Sequence, residues 1–227
     1  MTKATYFGHS CFLIETAGKR LLFDPFISAN DLAKSVDVGA IRAEYLLLTH
    51  AHGDHIADAE TVARNSDSLI IGNYEIYVHY TGRGLNGHPL NHGGKASFDF
   101  GTAKMVTAVH SSGFPDGAYG GNPGGFVIWN DETCFYHAGD TALTLDMQLI
   151  PMTCPPLQFA ILPIGDNFTM GYEDAVLAAD FIQCDTIIGC HYDTFGYIRI
   201  DHEAAKKAFA DRGKTLILPA IGETLSL

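Results

Sequence analysis

Residues 49–55 constrain the fold of this chain more than any other segment. They read Thr-His-Ala-His-Gly-Asp-His and place three imidazoles and one carboxylate within six positions. The apolar run Leu46-Leu47-Leu48 precedes them directly, and such a run bounded by polar residues is typical of a short buried strand. Because unpaired polar groups are costly to bury, four ligand-type side chains in one short loop predict a metal site at the end of that strand.

The spacing of these ligand-type residues favours two metal ions. His50 and His52 can reach one cation, while Asp54 and His55 can turn towards a second. A site with two metals needs further ligands, and these should also follow strands. Three more candidates each follow a run rich in β-branched or aromatic residues, and they are His110, Asp140 and His191.

The distribution of these candidates predicts one domain covering residues 1–227. They are spread from His50 to His191, so a domain boundary anywhere between would split the site. Neither a linker nor a charge run separates the two halves. A chain of 227 residues with 47% hydrophobic residues can build a sizeable core.

The hydrophobic pattern predicts strands that alternate with helices, which favours an α/β sandwich. A β-hairpin is expected over residues 5–23, with its turn at residues 17–19. Helical spacing indicates helices over residues 54–64, 172–183 and 202–211. Residues 72–80 fit a helix and a strand equally well.

Two glycine-rich segments need separate interpretations. Residues 82–87 match the dinucleotide-binding pattern GxGxxG, but Pro89 and the glycine pair that follows exclude the helix this pattern requires, so the match arises by chance. Residues 111–125 form a long loop beside His110. This loop is either a lid or substrate wall, or an ordinary surface connection.

Charge and cysteine content restrict the partners. The net charge is −12 with only 14 Lys and Arg residues, so nucleic acid is excluded as a partner and a small-molecule substrate is expected. The five cysteines lack a CxxC pair and are expected to be reduced residues of the interior. No signal peptide or membrane span is recognised, which predicts a cytoplasmic protein that does not bind membranes. The sequence leaves a homo-oligomer open.

The order HxHxDH, His, Asp, His resembles the metallo-β-lactamase superfamily, and the resemblance covers essentially the whole chain. It implies a four-layer αββα sandwich. Shorter segments resemble a bacterial group of metal-dependent hydrolases that is related to the L-ascorbate-6-phosphate lactonase branch. These segments are residues 8–12, 23–26, 137–141 and 168–171.

The superfamily resemblance also implies how the ligands divide between two metals. His50, His52 and His110 would hold one ion. Asp54, His55 and His191 would hold the other, and Asp140 would bridge both. Zinc is the first expectation for such ligands, although manganese or iron would also fit.

The expected activity is hydrolysis of a small ester-like substrate, which could be a lactone, a thioester, an amide or a phosphodiester. A hydroxide that bridges the two metals would be the nucleophile. Asp54 is expected to orient it or to take up its proton. Differences from the subgroup pattern near residues 163–172 and 191–196 prevent a specific substrate from being carried over.

Other polar residues near these motifs are candidates for substrate contact or for support of the ligands. His9, in the Gly-His-Ser turn, is a candidate substrate contact or acid. Asp24 matches a superfamily position where a carboxylate supports the metal loop, residues 49–55, through hydrogen bonds without binding the metal. His137 is expected to support a ligand or to lie in the core. His88 and His92 are equally compatible with substrate contact and with a surface position.

Two other functions remain open at this stage. Some members of the superfamily use the HxHxDH loop to hold a single iron and oxidise persulfides, so a mononuclear iron dioxygenase is the main alternative. The other is a non-catalytic metal-binding protein with a degenerate site. Seven intact ligand positions argue against the latter.

Overall fold

Two mixed β-sheets of seven strands each form the centre of the protein. The structure is a computed structural model that describes residues 1–227. The strands are, in chain order, β1 (Lys3–Gly8), β2 (Cys11–Thr16), β3 (Lys19–Phe23), β4 (Tyr45–Leu47), β5 (Leu69–Gly72), β6 (Asn86–Pro89), β7 (Lys95–Phe98), β8 (Gly101–Thr107), β9 (Gly124–Trp129), β10 (Cys134–His137), β11 (Phe159–Pro163), β12 (Thr186–Cys190), β13 (Thr215–Ile217) and β14 (Thr224–Ser226).

The two sheets have matching topologies. The first has the order β14-β1-β2-β3-β4-β5-β6, and the second has the order β13-β12-β11-β10-β9-β8-β7. In the first sheet the strands from β14 to β3 pair antiparallel, and those from β3 to β6 pair parallel. The second sheet pairs parallel from β13 to β10 and antiparallel from β10 to β7. Each sheet therefore joins a parallel half to an antiparallel half.

Six helices cover the outer faces of the sheets, together with four short 3-10 turns. The helices are α1 (Gly53–Ile56), α2 (Ala59–Ser66), α3 (Tyr74–Thr81), α4 (Ile150–Thr153), α5 (Tyr172–Phe181) and α6 (His202–Ala210). No helix is both long enough and apolar enough to cross a membrane.

The core has three parts, and their arrangement produces four layers. The central part lies between the sheets and joins Leu47 of β4 to Phe126 and Phe135 of the second sheet. A second part packs the other face of the first sheet, through Leu46, against Val62 of α2. The third packs the second sheet against α5 and α6. Leu46 and Leu47 are neighbours in β4, so their side chains point to opposite faces of the sheet. Because both faces are buried, the sequence of this strand is continuously apolar. The predicted α/β sandwich is confirmed.

The structure corrects the hairpin predicted over residues 5–23. The first of its two strands is divided into β1 and β2 by a tight turn, so the segment contains three strands. Gly8 has φ of 102° and His9 has φ of 55°, which is the left-handed conformation that reverses the chain. Alternation of side chains continues on both sides of the turn, so the pattern alone did not reveal the break.

The helix predicted over residues 54–64 is also wrong as one element. It is interrupted between α1 and α2, where Asp58 leaves the helical conformation. The Asp58 side chain instead accepts hydrogen bonds from the backbone N–H groups of Ile27 at 2.7 Å and Ser28 at 2.9 Å. These contacts tie the start of α2 to the loop after β3.

The ambiguous segment 72–80 and the GxGxxG match are both resolved. Residues Tyr74–Thr81 form α3, which begins after Asn73, whose side chain accepts a hydrogen bond from the backbone N–H of Ile76. The last two residues of segment 82–87 already belong to strand β6, so the chain continues as a strand instead of a helix. The segment therefore lacks the helix N-terminus that binds the pyrophosphate of a dinucleotide.

Candidate metal centre

The seven predicted metal ligands come from segments that follow strands of both sheets. His50 and His52 follow β4, and Asp54 and His55 lie in α1. The other three follow strands of the second sheet, namely His110 after β8, Asp140 after β10 and His191 after β12. All seven side chains lie in one cluster, as the following distances show.

Asp140 lies at the centre of the cluster and is 2% exposed. One of its oxygens, Oδ2, lies close to the Nε2 atoms of four histidines. These are His191 at 3.0 Å, His55 at 3.3 Å, His110 at 3.5 Å and His50 at 3.9 Å. The other carboxylate oxygen, Oδ1, is buried without a hydrogen-bond partner. A buried carboxylate in this position is able to contact cations on either side of it.

One group of candidate ligand atoms belongs to His50, His52 and His110, and these atoms lie within 4.8 Å of one another. His50 Nε2 and His52 Nδ1 are 3.0 Å apart. Several neutral ring nitrogens that converge in this way form a donor set suited to a borderline cation such as zinc.

A second group contains Asp54, His55 and His191, and His9 joins it within the same 4.8 Å limit. His191 Nδ1 is buried without a hydrogen-bond partner, and His55 Nε2 makes no well-aligned hydrogen bond although Asp140 Oδ2 lies 3.3 Å from it. Because an unpaired buried nitrogen is costly, a cation that accepts its lone pair would stabilise this arrangement. The donor types and the orphaned atoms both fit a metal ion.

Asp24 holds the metal loop from behind. Its Oδ1 accepts a hydrogen bond from the Thr49 backbone N–H at 2.9 Å, and its Oδ2 accepts from the Thr49 hydroxyl at 2.7 Å. Asp24 Oδ2 also lies 2.9 Å from His55 Nδ1. His55 therefore carries a proton on Nδ1 and directs Nε2 towards the centre.

Thr49 fixes the other histidine of the loop in the same way. Its hydroxyl donates its only proton to Asp24, so it accepts from Nδ1 of His50, which lies 3.0 Å away. The Nε2 atom of His50 is then left with a free lone pair that faces Asp140 and His52. The chain of contacts from Asp24 through Thr49 to His50 thus sets the orientation of a candidate ligand.

Electrostatic interactions couple the charged groups of the cluster. Burial disfavours the charged forms of both His55 and Asp140. Asp140 and Asp24 nevertheless raise the pKa of His55 well above its ordinary value. In turn, His55 and His191 hold the pKa of Asp140 well below its usual range. The positive charge on imidazole thereby balances the negative charge of the carboxylates at the centre. A bound cation would balance the same negative charge.

His9 lies behind Asp54. Its side chain is fully buried, and its Nε2 is 3.2 Å from Asp54 Oδ2 while its Nδ1 is 3.0 Å from the Thr194 hydroxyl. Burial lowers the pKa of His9 to about 4, so the ring is neutral near pH 7. A neutral ring satisfies both contacts if Nε2–H donates to Asp54 and Nδ1 accepts from Thr194.

Comparison with known proteins identifies the family of this chain. A family model described as a β-lactamase superfamily domain matches residues 3–191. A protein called UPF0173 metal-dependent hydrolase from Flavobacterium johnsoniae is 56% identical over 225 residues, which are 99% of this chain and 100% of the relative. Another of the same description, from Christiangramia forsetii, is 56% identical over 226 residues, with 99% and 100% covered.

This chain belongs to the UPF0173 metal-dependent hydrolase family of the metallo-β-lactamase superfamily. The superfamily resemblance is therefore confirmed, while the link to the lactonase branch stays a prediction. Among solved structures, Igni18, described as a novel metallo hydrolase from the archaeon Ignicoccus hospitalis, is 34% identical. It has a TM-score of 0.89, and the alignment covers 99% of this chain and 97% of Igni18.

His137 of this UPF0173 protein connects two parts of the site without facing it. Its ring stacks on Phe23, with 4.8 Å between ring centroids. Its Nδ1 accepts a hydrogen bond from the Gly139 backbone N–H at 3.2 Å, so its Nε2–H donates to the Ser10 carbonyl at 3.1 Å. His137 therefore ties the segment that carries Asp140 to the turn that carries His9.

Gly139 brings that segment close to the metal loop. It has φ of 62°, and a Cβ at this position would lie 2.7 Å from the Cβ of Thr49. A larger residue would push the two segments apart, so the glycine allows Asp140 to reach the histidines of the other sheet.

The site opens into a cleft of about 760 Å³. The residues that line it are His52, Asp54, His110, Ser111, Asp140, Phe168, His191, Thr194, Phe195, Gly196 and Tyr197. Neither His88 nor His92 is among them; His88 packs against Phe98 at 5.0 Å between ring centroids, and His92 Nε2 lies 2.8 Å from the Pro123 carbonyl oxygen. His9 is also absent from the cleft wall.

Sequence reasoning did not identify the aromatic part of this cleft. It considered residues 111–125 as a lid or wall, but only Ser111 of that loop lines the cleft. Phe114 instead stacks on His79, with 3.9 Å between ring centroids. The aromatic residues come from segments 168–171 and 191–196 and from Tyr197. The only sequence signal at these positions was the subgroup resemblance, which carried no role for individual rings.

Thr49 provides a test of the hydrogen-bond chain that orients His50. We expect Thr49→Val to weaken metal binding about tenfold, because Nδ1 of His50 loses its acceptor, and removal of such supporting contacts costs about 10- to 100-fold. The measurement is the metal retained per chain during titration with a chelator. Thr49→Ser, which keeps the hydroxyl, is the matched control. Equal retention in the valine and serine variants would show that the hydroxyl does not orient the ligand.

Proposed function

We propose that this protein is a hydrolase with two metal ions that acts on a small ester-like substrate. The observation that carries the proposal is the position of Asp140 Oδ2, within 3.9 Å of the Nε2 atoms of four histidines from two ligand groups. A carboxylate between two cations reduces the repulsion between them. The cleft volume of about 760 Å³ is that of a small-molecule site.

The chain supplies a complete set of donors for such a centre. His50, His52 and His110 would hold one ion, Asp54, His55 and His191 the other, and Asp140 would contact both. Divalent cations there, with zinc as the first expectation and manganese or iron compatible with the same donors, would supply a water whose pKa is lowered from about 15.7 towards about 7. Lactones, thioesters, amides and phosphodiesters are all open to attack by such a nucleophile.

Asp54 has a second role in this proposal because it lies at the boundary between the metal centre and the cleft. Its side chain is 29% exposed, whereas that of His9 behind it is fully buried. The hydrogen bond from His9 holds one carboxylate oxygen of Asp54, which fixes the direction of the other. Asp54 is thereby placed to orient the attacking water or to receive its proton.

His9 acts in this scheme as a positioning residue for Asp54. We expect His9→Ala, at saturating metal, to retain both ions but to lower kcat by about 10- to 100-fold. His9→Gln, which can place an amide N–H near Asp54, should recover part of kcat. The readouts are metal content, kcat and KM measured separately, and the unfolding midpoint. Full kcat in the alanine variant would return His9 to a purely structural role.

The test of the proposed function begins with metal analysis of protein purified without chelator or added metal. About two zinc or manganese ions per chain, and hydrolysis within a panel of lactones, thioesters, amides and phosphodiesters that is lost on chelation and restored by metal, support the proposal. One iron per chain together with oxygen consumption on glutathione persulfide would establish the dioxygenase alternative instead. Absence of bound metal after reconstitution would favour a non-catalytic protein.

A further inference from the structure

We infer that the substrate is a small hydrolysable compound whose portion away from the metal centre is uncharged and apolar. This inference rests on the proposed function and specifies the substrate class for the same cleft. The cleft has two chemically different sides. The inner side carries the candidate metal ligands, and the outer side carries the rings of Phe168, Phe195 and Tyr197.

The aromatic side is unusually exposed for rings of this size. Phe168 is 48%, Phe195 is 36% and Tyr197 is 80% exposed. Large apolar groups that are grouped around one opening, in contrast to single exposed ones, mark a binding surface. Here they border the cleft directly beside His191, so the molecule that covers them is one that also reaches the metal centre.

Phe195 is held by buried rings before any substrate arrives, and the other two rings contact each other. Phe195 contacts His9 with 5.4 Å between ring centroids and Phe26 with 6.3 Å, and Phe168 contacts Tyr197 with 6.3 Å. Phe195 therefore loses little conformational freedom when it binds an apolar group.

The backbone of the segment that carries these rings is also fixed. Asp193 N–H donates to the Ile198 carbonyl at 2.8 Å, and Asp193 Oδ1 accepts from the Ile200 N–H at 3.1 Å. Asp193 Oδ2 lies 2.7 Å from His202 Nε2 at the start of α6. The segment between β12 and α6 therefore presents Phe195 and Tyr197 from a braced loop.

The cleft contains no lysine or arginine side chain that would pair with a negatively charged substituent away from the metals. None of its lining residues is Lys or Arg. A peripheral phosphate or carboxylate would lose its hydration there without gaining a charged partner, which is unfavourable. Arg199 follows Tyr197 closely in sequence, but its side chain is exposed and does not line the cleft. A phosphorylated sugar lactone is therefore a poor match.

The experiment compares substrates that differ only in these properties. The metal-loaded protein is assayed with p-nitrophenyl esters of acetic, butanoic, hexanoic and octanoic acids, with glucono-δ-lactone and its 6-phosphate, and with bis(p-nitrophenyl) phosphate. We expect kcat/KM to increase about twofold for each added methylene, which is about half the effect of complete burial. The neutral lactone should be preferred over its 6-phosphate.

Variants connect this preference to the rings. Tyr197→Ala and Phe168→Ala should each reduce the octanoyl-to-acetyl ratio of kcat/KM by about threefold or more. Tyr74→Ala, which removes an exposed ring of α3 outside the cleft, is the matched control and should leave the ratio unchanged. Tyr197→Lys should increase kcat/KM for the 6-phosphate, relative to kcat/KM for the neutral lactone, by about fivefold because it introduces the missing cation. Metal content and unfolding midpoint of each variant report whether it is folded.

The outcomes separate this inference from the proposed function. Rates that do not depend on chain length, or a preference for the 6-phosphate, would overturn the inference and leave metal-dependent hydrolysis standing. A preference for the 6-phosphate that disappears in Arg199→Ala would show that the substrate extends past the cleft to that residue. Failure of the metal-loaded protein to hydrolyse any of these compounds, or any amide or thioester, would contradict the proposed function itself.

Discussion

Replacing Asp140 by alanine is expected to abolish hydrolysis, with a decrease in kcat/KM on the order of 10³-fold or more. The expectation follows because Asp140 Oδ2 lies between both groups of candidate ligands, at 3.0 Å from His191 Nε2 and 3.3 Å from His55 Nε2. Its removal takes away the one carboxylate that lies close to histidines of both ligand groups. A metal ion contributes several kcal/mol to stabilising a hydrolytic transition state, and this contribution is lost when the ion is lost or displaced.

The Asp140 experiment requires metal content and stability to be measured beside activity. We expect the metal content to fall below two ions per chain while the protein remains folded, as a cooperative unfolding transition in denaturant would show. Asp140→Asn keeps the shape but not the charge, so it should also lose metal. Asp131→Ala, which removes an exposed carboxylate outside the cleft, is the matched control. Activity that survives in Asp140→Ala at normal metal content would rule out a shared carboxylate between two metals.

Replacing Asp24 by alanine should have the largest effect on stability, a decrease in the free energy of unfolding of about 3–5 kcal/mol. Asp24 is fully buried and accepts from the Thr49 N–H, the Thr49 hydroxyl and Nδ1 of His55. Without the carboxylate, these donors lose their acceptor in the interior. We also expect metal binding to weaken, because both His50 and His55 owe their orientation to this carboxylate.

Asp24→Asn separates the hydrogen bonds from backbone strain. Asp24 has φ of 42°, a conformation that asparagine tolerates and alanine adopts at a cost. Asparagine keeps one acceptor oxygen, so the loss should be smaller, about 1–3 kcal/mol. Denaturant titration of the apo forms measures both changes. If both variants had the same free energy of unfolding as the parent protein, the hydrogen bonds of Asp24 would have no stabilising role.

Much of the fold and of the ligand set could be predicted because both leave local signals. The apolar run 46–48 predicted a short buried strand, and β4 occupies this region with Leu46 and Leu47 in different parts of the core. Ligand-type residues directly after such runs predicted a site at strand ends, and the structure brings all seven together. Strand periodicity and ligand chemistry operate over a few residues, which is the range that a sequence pattern encodes.

Interruptions of these patterns were not predictable in the same way. The turn at Gly8 and His9 and the break before α2 both depend on contacts with distant backbone. Asp58, for example, leaves the helix to accept hydrogen bonds from Ile27 and Ser28. Propensity over a short window cannot anticipate a partner that lies about 30 residues away in the chain.

The sequence by itself determined the chemistry of the site, that is, which histidines and aspartates follow strands and that their donor atoms suit metal ions. Only the tertiary structure decided how they are arranged. It placed Asp140 among four imidazoles, His9 behind Asp54, and the rings of Phe168 and Tyr197 on one side of the cleft. These groups lie up to about 190 residues apart in sequence. Their contacts arise from packing of the two sheets and from loop conformations with positive φ, and neither has a local sequence period.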